Sequence, residues 1–104
     1  MLFLIDEDML MNFFNHNEKA IRLFDKFNKC IKNKLPMDII TTNSILIYSI
    51  THCPPETEFG YIQQALSVMQ VVPSYADYTN KGAIRQELLR IGAMIAGGRR
   101  HGIV

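Results

Sequence analysis

The sequence predicts an all-α fold, a compact single domain of four to five helices in an irregular or orthogonal bundle. Three observations lead there. Residues 17–34 and 81–96 repeat their apolar positions with helical period. Pro36, Pro54-Pro55, Pro73 and Gly97-Gly98 punctuate the chain where helices would stop. Only residues 38–52 lean towards strand, and a lone two-stranded hairpin is marginal in water. The 104 residues are read as one domain, 1–104, with an apolar and acidic N-terminal segment (1–15) and a basic tail (97–104). A chain of this length buries roughly two-thirds of its unfolded surface, enough to hold together without metal or disulfide.

The first helix is expected over residues 6–15. Asp6 starts it, Glu7 and Asp8 sit in its first turn where the helix dipole favours anions, and Met9, Leu10, Phe13 and Phe14 fall on one side. Asn17 caps the clearest helix, 17–34. Its apolar face carries Ala20, Leu23, Phe24, Phe27, Cys30 and Ile31, and a basic row of Lys19, Arg22, Lys26 and Lys29 lies opposite. Glu18 with Arg22 and Asp25 with Lys29 are acid-before-base pairs four residues apart.

Residues 38–52, DIITTNSILIYSITH, form the expected middle of the core. Eight of the fifteen are Ile or Thr, which favour strand. Fifteen residues without Gly or Pro favour helix by length, and helix is the reading adopted. Pro54-Pro55-Glu56-Thr57-Glu58 reads as a helix start, with the helix running to Val71 and carrying an uncharged polar face of Gln63, Gln64, Ser67 and Gln70. Residues 74–80 form a loop with two tyrosines. Asn80 caps a last helix, 81–96, with Ile84, Leu88, Ile91 and Ile95 in a stripe.

Charge alternates in blocks: −3 over residues 1–15, +4 over 16–34, −4 over 35–80 and +4 over 81–104, for a net +1. The molecule as a whole is therefore no magnet for nucleic acid or membrane. No apolar run is long enough to span a bilayer, and the first residues lack the basic leader of a signal peptide. Two cysteines without a secretory signal suggest reduced thiols, so a cytoplasmic protein, of a cell or of a viral host, is expected. The abundance of Ile, Asn and Lys fits an AT-rich coding genome such as that of a virus or phage.

No catalytic or metal signature stands out. His16, His52, His101, Cys30 and Cys53 form no metal-binding spacing, so neither metal nor cofactor is expected. The chain is read as a non-enzyme. The leading expectation is a small protein–protein interaction protein (adaptor, regulator or assembly subunit) that forms a homo-oligomer or docks on a partner. Small residues on the last helix supply the self-association face: Ala83, Leu89, Gly92, Ala93 and Ala96. The alternative is a nucleic-acid-binding protein. Lys19, Arg22, Lys26 and Lys29 make a basic edge about 15 Å long, and Arg85, Arg90, Arg99 and Arg100 add a second basic region.

Overall fold

A computed structural model describes residues 1–54 and 59–104. The elements, in order, are β1 (Leu2–Leu4), α1 (Glu7–Phe14), α2 (Glu18–Lys32), β2 (Asp38–Thr42), α3 (Asn43–Thr51), α4 (Phe59–Val68), β3 (Gln70–Val72), α5 (Lys81–Ala96) and β4 (His101–Ile103). The strands form one parallel sheet in the order β3-β2-β1-β4. The expected all-α bundle is therefore wrong: the fold is mixed α/β.

The correction is sharpest at residues 38–52, which split at Thr42. The β-branched run Ile39-Ile40-Thr41-Thr42 is extended and buried. Thr42 then turns its hydroxyl to accept the Ile45 N–H at 3.2 Å and caps α3. Strand partners come from short runs at both chain ends. Leu2-Phe3-Leu4 lies between β2 and β4, in register Leu2↔Asp38 and Leu2↔His101. The expected basic tail is strand β4, and the end of the expected fourth helix is strand β3. The expected start of that helix falls largely on residues 55–58, outside those described.

Other local expectations meet the structure directly. Asp6 caps α1 by accepting from the Met9 N–H at 3.0 Å. Asn17 caps α2 through the N–H groups of Lys19 and Ala20. Asn80 caps α5, and Gly97 ends it with φ 53°, the left-handed value glycine adopts without a Cβ penalty. The Glu18–Arg22 pair forms at 3.1 Å. Asp25 and Lys29 form no ion pair among the described residues.

Side chains alternate across β1. Phe3 meets Phe27 of α2, with ring centroids 5.5 Å apart, so α2 covers that face. Leu4 meets α5 on the other face. α4 packs beside α2, and α3 beside α5. The placement of α5 follows from the crossover rule. The chain steps from β1 to β2 to β3 in one direction and then returns past β1 to β4. A right-handed connection in the reverse direction must cross the opposite face, where α5 lies.

α5 approaches β1 very closely. A Cβ at Gly92 would stand 2.7 Å from both methyls of Leu4, a side chain with no exposure. Gly82, near the helix start, meets nothing closer than Asn80 Oδ1 at 3.5 Å. Gly92→Ala is therefore expected to destabilise by about 1 kcal/mol, overpacking outweighing the gain in helix propensity. Gly82→Ala is expected to stabilise by about 0.5–1 kcal/mol. Urea denaturation of the two variants checks this, and equal effects of the same sign would contradict the close approach.

Candidate functional site

Two charged regions stand out. The first lies at the carboxyl end of β1. In open parallel sheets, ligands commonly settle where the strand order reverses, beyond the carboxyl ends of the strands. Here the reversal falls between β1 and β4, and α1 begins there with Asp6, Glu7 and Asp8. The start of α5 supplies Lys81 and Arg85. Lys81 Nζ lies 2.9 Å from Asp8 Oδ1 and 3.9 Å from Glu7 Oε1. Arg85 Nη2 reaches Asp8 Oδ2 at 2.9 Å and Asp6 Oδ2 at 3.5 Å, and donates to Glu7 Oε1. Glu7 has no exposure. Its Oε2 and the Nε of Arg85 are buried without a hydrogen-bond partner.

The charges titrate as this geometry dictates. The Lys81 ammonium, and then Arg85, hold the Asp8 carboxyl below the usual carboxylate range. Asp8 in turn raises Lys81. Arg85 is raised first by its hydrogen bond to Glu7 and then by that to Asp8. The region is an internal ion-pair cluster that ties β1 and α1 to α5. Among the described residues no group of three or more His, Cys, Asp or Glu side chains is placed to hold a metal ion.

The second region is an open groove of about 510 Å³ between α1 and α2. Its floor is apolar: Ala20 is buried, and Met9 and Leu23 are half-buried. Exposed polar side chains rim it: Asn12 from α1, then Asn17, Lys19, Arg22 and Lys26 from the first half of α2. Arg22 is shared with Glu18. Lys19 and Lys26 have no ion-pair partner among the described residues. Lys29 continues the row, exposed, beyond the groove. The row was legible in the sequence as a helix face. The contribution of α1 was not, because Asn12 and Met9 reach it only through the turn at residues 15–17.

The second expected basic region does not join the first. Arg85 is held in the ion-pair cluster, Arg90 pairs with Glu87, and Arg99 reaches Asp38 Oδ2 at 2.9 Å. These three lie on or just after α5, across the sheet from α2. Arg100 is exposed and has no ion pair among the described residues. The five residues expected to form a self-association face are scattered. Gly92 and Ala96 are buried within the chain's own core, Ala83 is half-buried, and only Leu89 and Ala93 are exposed.

The histidines and cysteines form no metal-holding group among the described residues. His16 stacks on Tyr61 and His52 on Tyr48. Cys30 and Cys53 are free thiols, and Cys53 Sγ donates to the Ile50 carbonyl at 3.0 Å. Among the described residues no helix is long and apolar enough to cross a membrane. The chain matches no protein-family model, no curated protein and no solved structure.

Two outcomes follow from the ion-pair cluster. Arg85→Met removes the cation hydrogen-bonded to the buried Glu7 carboxylate, leaving only Lys81 at 3.9 Å, and should cost about 3 kcal/mol, whereas the double variant Glu7→Leu/Arg85→Met should recover most of that loss. Chemical denaturation of the four proteins in this cycle gives the answer, and additive losses would refute the coupling. The second outcome concerns pH. The contribution of Asp8 is complete above its ordinary titration range, about pH 4, and disappears as pH falls through its depressed value. Lys81→Met should therefore flatten the acid limb of the stability–pH profile below about pH 4, and an unchanged limb would show that the contact is not made.

Proposed function

We propose that this protein is a non-enzymatic binding protein that holds a nucleic-acid strand along the groove between α1 and α2. One observation carries the reading: Lys19, Arg22 and Lys26 converge with Asn12 and Asn17 on the rim of a single apolar-floored groove. Cations along a helix edge neutralise successive phosphates and release counterions. Side-chain amides can hydrogen-bond phosphate or sugar, and the apolar floor gives a base or sugar a surface to lie against. The two free thiols fit a reducing, cytoplasmic setting.

The self-association reading has less support. It drew on an N-terminal apolar segment and on the last helix, where Gly92 and Ala96 are taken up by the chain's own core while Leu89, Ala93, Met94 and Ile95 stay exposed. Leu2 and Leu4 have no exposure, and Gly92 and Ala96 are buried.

The test is fluorescence anisotropy with labelled single-stranded RNA and DNA across a salt series. Three phosphate contacts give a slope of log affinity on log salt of about −2 for single strands. Lys19→Glu/Lys26→Glu should reduce that slope to about −0.7 and weaken binding at low salt. Glu18→Gln, which releases Arg22, should tighten it. Binding that ignores the charge reversal, or is absent at low salt, removes the proposal.

A further inference from the structure

The chain carries no charged residue from Phe59 to Ala76, and these residues build one side of the molecule: α4, the edge strand β3 and the turn that follows. The backbone of β3 is open outward. The Asp38 N–H donates to the Met1 carbonyl and the Ile40 carbonyl accepts from the Ile5 N–H, both at 2.9 Å. Asp38 and Ile40 therefore turn their backbone groups to β1, and Thr41 turns its own to β3. Thr41 stands opposite Val71. In a parallel ladder it bonds to the flanking residues, Gln70 and Val72, so the N–H and C=O of Val71 point away from the sheet. They have no backbone partner among the described residues.

The helix beside this edge is apolar on the same side. Gln64, Ser67 and Val68 line a small cavity against Ile21 and Phe24 of α2. At 3.6 residues per turn, Phe59, Ile62 and Leu66 fall on the flank away from α2. α2 covers β1, and α4 leads into β3 after the single residue Met69, so that flank borders the β3 edge. Ile62 is half-buried, but Phe59 is 69% exposed and Leu66 39% exposed. Natural edges are commonly guarded by charge. This one has none, and its only guard is Pro73, which lacks an N–H and confines further pairing to Val71.

We infer that the β3 edge and the Leu66 flank of α4 form a two-fold interface with a second copy of this chain, a face separate from α5. The absence of charge selects the occupant. Residues 59–76 offer nothing to pair with phosphates or with an acidic or basic peptide. The exposed polar side chains at the edge, Gln63 and Gln70, are amides. An amide donates and accepts through one group, so it complements its own copy as a carboxylate or ammonium does not. The outward groups of Val71 need another open strand, and β3 supplies it. Paired antiparallel about Val71, the two copies exchange both Val71 hydrogen bonds across about 4.8 Å. Gln70 then stands opposite Val72 of the second copy, and the two Leu66 flanks approach over one face of a continuous eight-stranded sheet. The contact is isologous and closes on itself.

The experiment is sedimentation equilibrium of the full chain from about 10 μM to 1 mM, a range that brackets weak dimers, with NMR hydrogen exchange at the two ends of the range. The expected result is a reversible monomer–dimer equilibrium in which the Val71 amide exchanges about tenfold more slowly at high concentration, the worth of one backbone hydrogen bond. Leu66→Lys and Leu66→Glu each place like charges across the two-fold axis and should raise the dissociation constant about tenfold or more. Mixing the two variants should restore the dimer as a heterodimer. Three results overturn the inference. They are a monomer throughout the range, concentration-dependent shifts that map to Leu89 and Ala93 of α5 or to β4 instead of Val71, and a Leu66→Lys variant that dimerises as tightly as the parent.

Discussion

The structure depends on the demands of a three-residue strand. β1 has Leu2 and Leu4 fully buried and Phe3 half-buried, and it is paired on both edges, so its polar backbone groups depend on the neighbouring strands. Each demand fixes another part of the chain. β2 and β4 supply hydrogen bonds on either side. Phe27 of α2 closes one face through Phe3, and α5 closes the other so tightly that only glycine fits at position 92. The helices are longer and more numerous than the strands, yet they are placed as covers for this strand.

Electrostatics set where α5 lies along its own axis. At its start Arg85 reaches Glu7 and Asp8, and just past its end Arg99 reaches Asp38. A slide of one helical turn, about 5.4 Å, would break both contacts. Such pairs contribute little net stability: desolvation offsets the attraction at the buried Glu7, and solvent screens the half-exposed Arg99–Asp38 pair. Their value here is positional, and they act together with the close fit of Gly92 on Leu4 to fix the helix along its axis. The same arrangement explains the asymmetry of the surface. Arg85, Arg90 and Arg99 are paired within the chain, while the lysines of α2 form no ion pair among the described residues.

Much of the local structure was legible in the sequence. The caps Asp6, Asn17 and Asn80, the limits of α5, the basic side of α2 and the Ala20, Phe24 and Phe27 part of its buried side follow from residue types at helical spacing, whereas Ile31 of the expected face is exposed. The sheet did not follow, for a physical reason. The central strands β1 and β2 are covered on both sides and show no clean alternation, and runs of three to five residues, the exposed edges β3 and β4 included, are too short to register against helical period. Residues 38–42 carried the signal in Ile39-Ile40-Thr41-Thr42. It was outweighed because the partners, Leu2-Phe3-Leu4 and His101-Gly102-Ile103, lie at opposite ends of the chain, where neither looks like a strand alone. The same blindness shaped the reading of the site. Small residues on α5 suggested another helix as neighbour, and the neighbour is Leu4. The basic row on α2 was visible at once, whereas the groove beside it needed α1 folded back.

The pairing of β1 with β4 also governs the order of assembly. Leu2 and His101 are 99 residues apart, so this contact closes the longest loop in the sheet, at the largest entropic cost. During synthesis at roughly 5–20 residues per second, β4 emerges about 3–12 s after β2. In that interval β1 can pair on one side only, and the close-fitting surface of Leu4 waits for a helix that follows late. The nascent chain thus carries an open, apolar strand edge for seconds, an aggregation risk that ends for β1 once β4 pairs with it.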